Sequence, residues 1–209
     1  MMKKTLIQVR NMTVGHKDKP LFTNISFDIC EGDCILLCGA NGSGKSTLLR
    51  TLAGESTEIE TAMIPTRIPK VKGFTLREFV DLSCWNSHTT EPETALELLS
   101  LQDLSDRDIS TLSDGEFQKG TIAAAIAKGA QVIFMDEPTA FLDAENKKKV
   151  LRALRQLCDS SNKAVIFSSH DLHEGLQVCN KVIALGADGQ FRISSSDRET
   201  AVATIFSNE

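Results

Sequence analysis

The sequence predicts an α/β protein: a mostly parallel sheet with helices on both faces, a small N-terminal antiparallel β region and an inserted helical sub-domain. Three observations carry this. From residue 132 onward, short apolar strands alternate with helical segments, the pattern of a parallel sheet covered on both sides. A glycine-rich turn at residues 39–46 joins a short apolar run to a helical one. Residues 76–130 read as mostly helical and interrupt the alternation.

Element by element, residues 5–29 contain short β-like runs, Leu6 to Val9 and Leu21 to Phe27, with the turn-like GHKDKP between them. Cys34 to Cys38 (CILLC) is a strand buried by its composition, and Ser46 to Leu52 (STLLRTL) carries apolar residues at helical spacing. Glu55 to Gly73, with Pro65 and Pro69, reads as irregular. LREFVDLSCW, ETALELLSL and FQKGTIAAAIAKGA supply the helices of the insert. VIFMDEP is a strand running into acids, AENKKKVLRALRQLCDS a helix, and AVIFSSH a strand with a polar end. DLHEGLQVC is a helix and KVIALG the last strand. Polar residues at the carboxyl ends of such strands are where ligands bind.

Composition sets limits. A chain of 209 residues suits one compact domain over 1–209, with the helical sub-domain at about 76–130 inserted in its core. The net charge of −5 offers no nucleic-acid footprint and no patch for a membrane surface. MMKKTLIQVRN has two lysines without an apolar stretch behind them, so it is not a signal peptide. No apolar run approaches the length of a bilayer span. The expected location is the cytosol, unless a partner holds the chain at a membrane. Among the six cysteines, Cys30, Cys34 and Cys38 are evenly spaced, which raises a metal ligand set as one reading. On a strand, however, Cys34 and Cys38 lie about 13 Å apart along one face, too far to share a metal. They read as small buried hydrophobes, and Cys84, Cys158 and Cys179 as scattered thiols with no disulfide expected.

Residues 39–46, GANGSGKS, form a complete phosphate-binding loop, G-x-x-x-x-G-K-S, between a strand and a helix. Chance produces this pattern in roughly one chain of this length in a hundred. Gly39, Gly42 and Gly44 let the backbone curl so that N–H groups point at phosphate oxygens at the helix N-terminus. Lys45 adds a point charge for the β- and γ-phosphates, and the Ser46 hydroxyl completes a magnesium shell. Asn41 to Thr47 (Asn41, Gly42, Ser43, Gly44, Lys45, Ser46, Thr47) are therefore assigned to the nucleotide. In such a P-loop core, Val132 to Met135 is the second strand of the phosphate site. Asp136 would hold magnesium through water, and Glu137 is placed to orient and deprotonate the attacking water. A structural ion pair is the plainer reading of these acids, but both would need partners after so apolar a strand.

Further motifs carry a resemblance to a family. Leu112-Ser113-Asp114-Gly115-Glu116 resembles the LSGGQ signature of ATP-binding cassette (ABC) proteins, Ala140-Phe141-Leu142-Asp143 their D-loop, and Ser169-His170-Asp171 their switch histidine. With the phosphate loop and the acidic strand these stand in family order over residues 39–171. The resemblance implies a head-to-tail dimer with a second copy of the chain, each ATP lying between one phosphate loop and the partner's signature. It implies that Ser113 and Gly115 contact the γ-phosphate, that His170 senses hydrolysis, and that Asp143 lies at the dimer seam. LSDGE also reads as an N-capped helix, with Ser113 as cap and Glu116 three residues on. The two readings are compatible. The family stacks an aromatic residue on adenine. This chain has no tyrosine, and His16 in the matching place either stacks as an imidazole or is an ordinary turn histidine.

Two departures stand out. The family's glutamine between the phosphate loop and the helical block, which contacts magnesium and couples to membrane partners, is missing; Thr66 of AMIPT takes its place. The stretch there is also short, so part of the small antiparallel region is expected to be absent. Asp114 and Glu116 bring carboxylates near a phosphate, which repulsion disfavours unless they point away. DEPTAFLD, SSHDL and EGLQVCNKVIAL look most like cassettes of metal-chelate importers, for iron–siderophore, haem or cobalamin. The resemblance implies Mg2+-dependent ATP hydrolysis coupled to transport, integral membrane permease subunits, a substrate-binding protein, and a place on the inner face of the cell membrane. A haem-export cassette and a soluble, non-transport ABC ATPase are the alternatives.

Overall fold

A computed structural model describes residues 3–16, 18–55, 59–83, 91–186 and 189–206, with the side chains at 16, 55 and 204–206 outside that description. Strands β1 (Thr5–His16) and β2 (Lys19–Cys30) pair antiparallel as a separate two-stranded sheet. Among the described residues this hairpin is the whole of the smaller sheet.

The main sheet is built from β3 (Cys34–Gly39), β4 (Thr61–Ile64), β5 (Val132–Met135), β6 (Ala164–Ser168), β7 (Lys181–Leu185) and β8 (Phe191–Ser194). Its order is β4-β5-β6-β3-β7-β8, parallel except for β8, which runs antiparallel to β7. Helices α1 (Lys45–Glu55), α5 (Ala144–Ser160), α6 (Leu172–Val178) and α7 (Arg198–Phe206) flank it. Helices α2 (Leu76–Ser83) and α3 (Pro92–Leu98) pack on α4 (Asp114–Ala127), forming the helical insert.

Two expectations are corrected. The stretch after Glu55 is not wholly irregular, because Thr61–Ile64 forms the edge strand beside β5. Four residues are too few to display a period, and their strand state depends on pairing with β5. Nor is KVIALG the last strand. β8 and α7 follow it, and β8 is a half-buried edge whose pattern only its neighbour β7 makes legible.

The core divides by strand parity. On β3 every residue from Cys34 to Cys38 is fully buried. Ile35 and Leu37 join the layer of α1 and the hairpin, while Cys34, Leu36 and Cys38 face the layer of α5, α6 and the insert. Each such leucine contributes about 1.5–3 kcal/mol by leaving water. The thiols behave as hydrophobes. Burial pushes Cys38 up to about 12, and a hydrogen bond with Cys158 together with burial raises Cys34 well above its usual range. Among the described residues no group of three or more His, Cys, Asp or Glu could hold a metal, and Cys84 lies outside them. Among them, too, no helix is long and apolar enough to cross a membrane.

Candidate nucleotide site

The phosphate loop leaves β3 at Gly39 and enters α1 at Lys45, in the strand–turn–helix order its chemistry needs. A Cβ on Gly39 would lie 2.5 Å from the Leu185 carbonyl and 2.6 Å from Ser43 Oγ, so only glycine fits between β7 and the loop. Gly44 sits at φ 96°, and a Cβ there would meet Leu21 Cδ1 at 2.9 Å. Lys45 is buried, and its ammonium donates to the Gly39 carbonyl at 2.8 Å and the Ala40 carbonyl at 3.0 Å. Asn41 and Gly42 are exposed at the loop's crown, and the buried Ser43 Oγ has no hydrogen-bond partner among the described residues. Ser46 and Thr47 lie in the first turn of α1, where backbone N–H groups lack intrahelical partners and favour anions.

The acids stand at the end of β5. The Asp136 N–H donates to the Ile64 carbonyl at 2.8 Å, tying this turn to β4. Met135 pairs with Phe167 across β5 and β6, so the next residue along, Ser168, falls beside the acids. Its hydroxyl donates to Asp136 Oδ1 at 2.8 Å and accepts from the Glu137 N–H at 2.9 Å. The sequence reading did not single out Ser168; its signal was a small polar residue closing an apolar strand. Asp136 Oδ2 accepts no hydrogen bond among the described residues, and with the Ser46 hydroxyl it offers the hard oxygen donors that suit magnesium.

Glu137 adopts φ 53°, a left-handed conformation uncommon outside glycine and typical of functional turns. His170 Nε2 lies 3.1 Å from its Oε1. Among the described residues that oxygen has no aligned hydrogen bond, so the imidazole lies beside it as a close polar neighbour. Burial raises the proton affinity of Glu137 above the usual carboxylate range; nearby Asp136 adds to this, and His170 and Lys45 oppose it. Phosphate loop, acids and His170 thus meet at the carboxyl ends of β3, β5 and β6.

Ser113 and Asp143 lie elsewhere. Ser113 caps α4 in a reciprocal box: its hydroxyl accepts from the Glu116 N–H at 3.1 Å, and its own N–H donates to Glu116 Oε2 at 2.7 Å. These bonds hold Glu116 below its usual range. Asp114 is paired with Lys70 at 2.7 Å, which lowers it likewise. Both signature carboxylates are therefore engaged within the chain, one folded back on the helix start and one neutralised. Asp143 caps α5, accepting from the Asn146 N–H at 2.8 Å and its Nδ2 at 2.9 Å. Ser113, Gly115, Asp143, Lys119 and Asn146 line a cleft of about 590 Å³ that none of residues 39–47 lines. Thr66, half-buried just past β4, lines another cleft, of about 350 Å³, with Arg67, Phe117, Gln118 and Phe141. The side chain of His16 lies outside the described residues.

A helix N-terminus, a buried lysine and paired acids gathered at one edge of a parallel sheet are the features of nucleoside-triphosphate-binding α/β proteins. Residues 22–140 match the family model described as ABC transporter, and the chain belongs to that family. It is 27% identical to the siderophore transport system ATP-binding protein YusV of Bacillus subtilis, over 88% of this chain and 78% of that protein. It is 32% identical to the zinc import ATP-binding protein ZnuC of Haemophilus influenzae, over 82% of this chain and 68% of that one. Among solved structures, a chain of an inward-facing transporter described as of the metal-chelate ABC type superposes with a TM-score of 0.82. That chain is 26% identical, with 96% of this chain and 88% of that one covered.

Proposed function

We propose that this chain is the ATP-hydrolysing subunit of an importer for a metal or metal chelate, with 1–209 acting as a single cassette. The observation that carries hydrolysis is Glu137: a carboxylate in a left-handed turn, its proton affinity raised by burial and its oxygen beside His170. Such a group is suited to accept a proton from water near neutral pH. Lys45 and the N–H groups of residues 42–47 hold the triphosphate, and Ser46 and Asp136 hold magnesium, which when bound neutralises charge on the β- and γ-phosphates. Ser168 keeps both acids in register. His170, beside Glu137, is the residue this reading assigns to sensing the γ-phosphate.

The separate cleft of Ser113, Gly115 and Asp143 supports a head-to-tail dimer, in which that surface completes the partner's phosphate site. The names of the siderophore transport and zinc import relatives support a role in transport of a metal or its chelate; permease subunits and a substrate-binding protein are the partners this reading requires. Glu137→Gln keeps the shape and removes the basicity, so ATP binding should persist while turnover falls about a hundredfold or more. Unchanged turnover in that variant refutes the assignment.

A further inference from the structure

A separate cleft opens at the end of the sheet away from the acids. Lys163 stands immediately before β6, the strand that ends at Ser168. With Glu97 and Leu98 of α3, Ile126 of α4 and Leu157 of α5, it lines a cavity of about 570 Å³ between the helical insert and the core. None of residues 39–47, 136, 137 or 170 lines that cavity. The ammonium of Lys163 is closed off from water, and no acceptor meets it among the described residues. A lysine that follows a helix commonly donates to the helix's last carbonyls. At the end of α5 the hydroxyls of Ser160 and Ser161 donate to the Gln156 and Leu157 carbonyls instead. Burial lowers the proton affinity of Lys163, and no carboxylate acts against that shift. Glu97 is exposed, where solvent and salt screen its charge.

We propose that this cleft binds a small monocarboxylate with an apolar tail, its carboxylate taken by Lys163 and its tail covered by Leu98, Ile126 and Leu157. Such a site is independent of the nucleotide-binding reading above. A buried ammonium without an acceptor is costly, and an anion that brings its own oxygens removes that cost through a charge-assisted hydrogen bond. The flexible four-carbon stem of lysine lets the ammonium turn toward a ligand in the cleft. Ile126 and Leu157 are buried and Leu98 is half-buried, so a tail entering between them leaves water for apolar walls. The volume falls within the range of about 300–1,000 Å³ common to small-molecule sites. Inorganic phosphate supplies charge but nothing for these walls to cover, which sets a tailed carboxylate above it.

Calorimetric titration of the full chain with octanoate, acetate and 1-octanol tests this. Octanoate should bind, one molecule per chain, with a Kd of about a millimolar or below. Acetate lacks the tail and octanol the charge, so each should bind at least about tenfold more weakly. Lys163→Met keeps a flexible stem and removes the ammonium, and it should weaken octanoate about tenfold or more. Leu98→Ser, at a half-buried position, should weaken octanoate severalfold and acetate hardly at all. Circular dichroism checks that both variants fold, and Leu98→Ser carries the comparison should Lys163→Met not do so. No saturable binding of octanoate overturns the proposal. So does octanoate binding that these variants leave unaltered, or that octanol matches.

Discussion

The hydroxyl of Ser168 and the carboxylate of Asp136 are joined at 2.8 Å across the β5–β6 boundary, and both are buried. The same hydroxyl accepts from the Glu137 N–H. One side chain on β6 thus holds the acid assigned to magnesium and the turn carrying the acid assigned to water. The two acids are kept in fixed relation by a residue of a different strand.

Ser168→Ala leaves a buried carboxylate oxygen and a buried N–H without partners. Loss of about 1–3 kcal/mol is expected in urea unfolding. Turnover should drop more than ATP affinity, because the loop that holds the phosphates is untouched. Equal losses in kcat and in nucleotide binding would show that Ser168 only stabilises the fold.

Glu137 supplies a pH signature. Its folded proton affinity is raised, chiefly by burial, so its ionised form is disfavoured in the native state. The stability this group contributes is present below the ordinary carboxylate pKa and is lost as pH rises through the raised folded value. At pH 7.5 Glu137→Gln should therefore melt higher than the parent, and the gap should narrow toward pH 4. A variant that melts lower at pH 7.5 would mean that His170 and Lys45 outweigh burial.

The capping box predicts the opposite slope. Glu116 is lowered by its bond from the Ser113 N–H, so its contribution is present above the unfolded carboxylate pKa and lost as pH falls through the lowered folded one. Ser113→Ala should cost about 1 kcal/mol. Glu116→Gln should matter at pH 7 and hardly at all at pH 3. Denaturant melts at both pH values check this; a pH-independent difference would exclude the box as the cause.

Thr66 lines a cleft of about 350 Å³, with room for a longer side chain. Thr66→Gln is expected to change the hydrolysis rate or its response to the membrane subunits severalfold. Thr66→Val should leave ATP affinity within about twofold, since a metal-bound water can be held by other groups. ATPase assays with and without the permease decide it: no change in either setting removes Thr66 from the coupling path.

Much of the site was legible in the chain itself, because its chemistry is local. Gly39 to Ser46 must be contiguous to curl around phosphates, and a strand of VIFM ending in Asp136 and Glu137 announces buried acids whatever surrounds it. The capping of α4 by Ser113 and Glu116 is likewise a four-residue matter. Tertiary structure alone decided what depends on register between distant segments. The strand state of Thr61–Ile64 needs β5 beside it, and β8 needs β7. That Ser168 meets Asp136 follows from the pairing of Met135 with Phe167, 32 residues apart. That Leu21 leans on Gly44 follows from where the hairpin folds. Side chains brought together by sheet pairing leave no spacing in the sequence, since the period of a strand fixes which face a residue occupies but not which neighbour it meets.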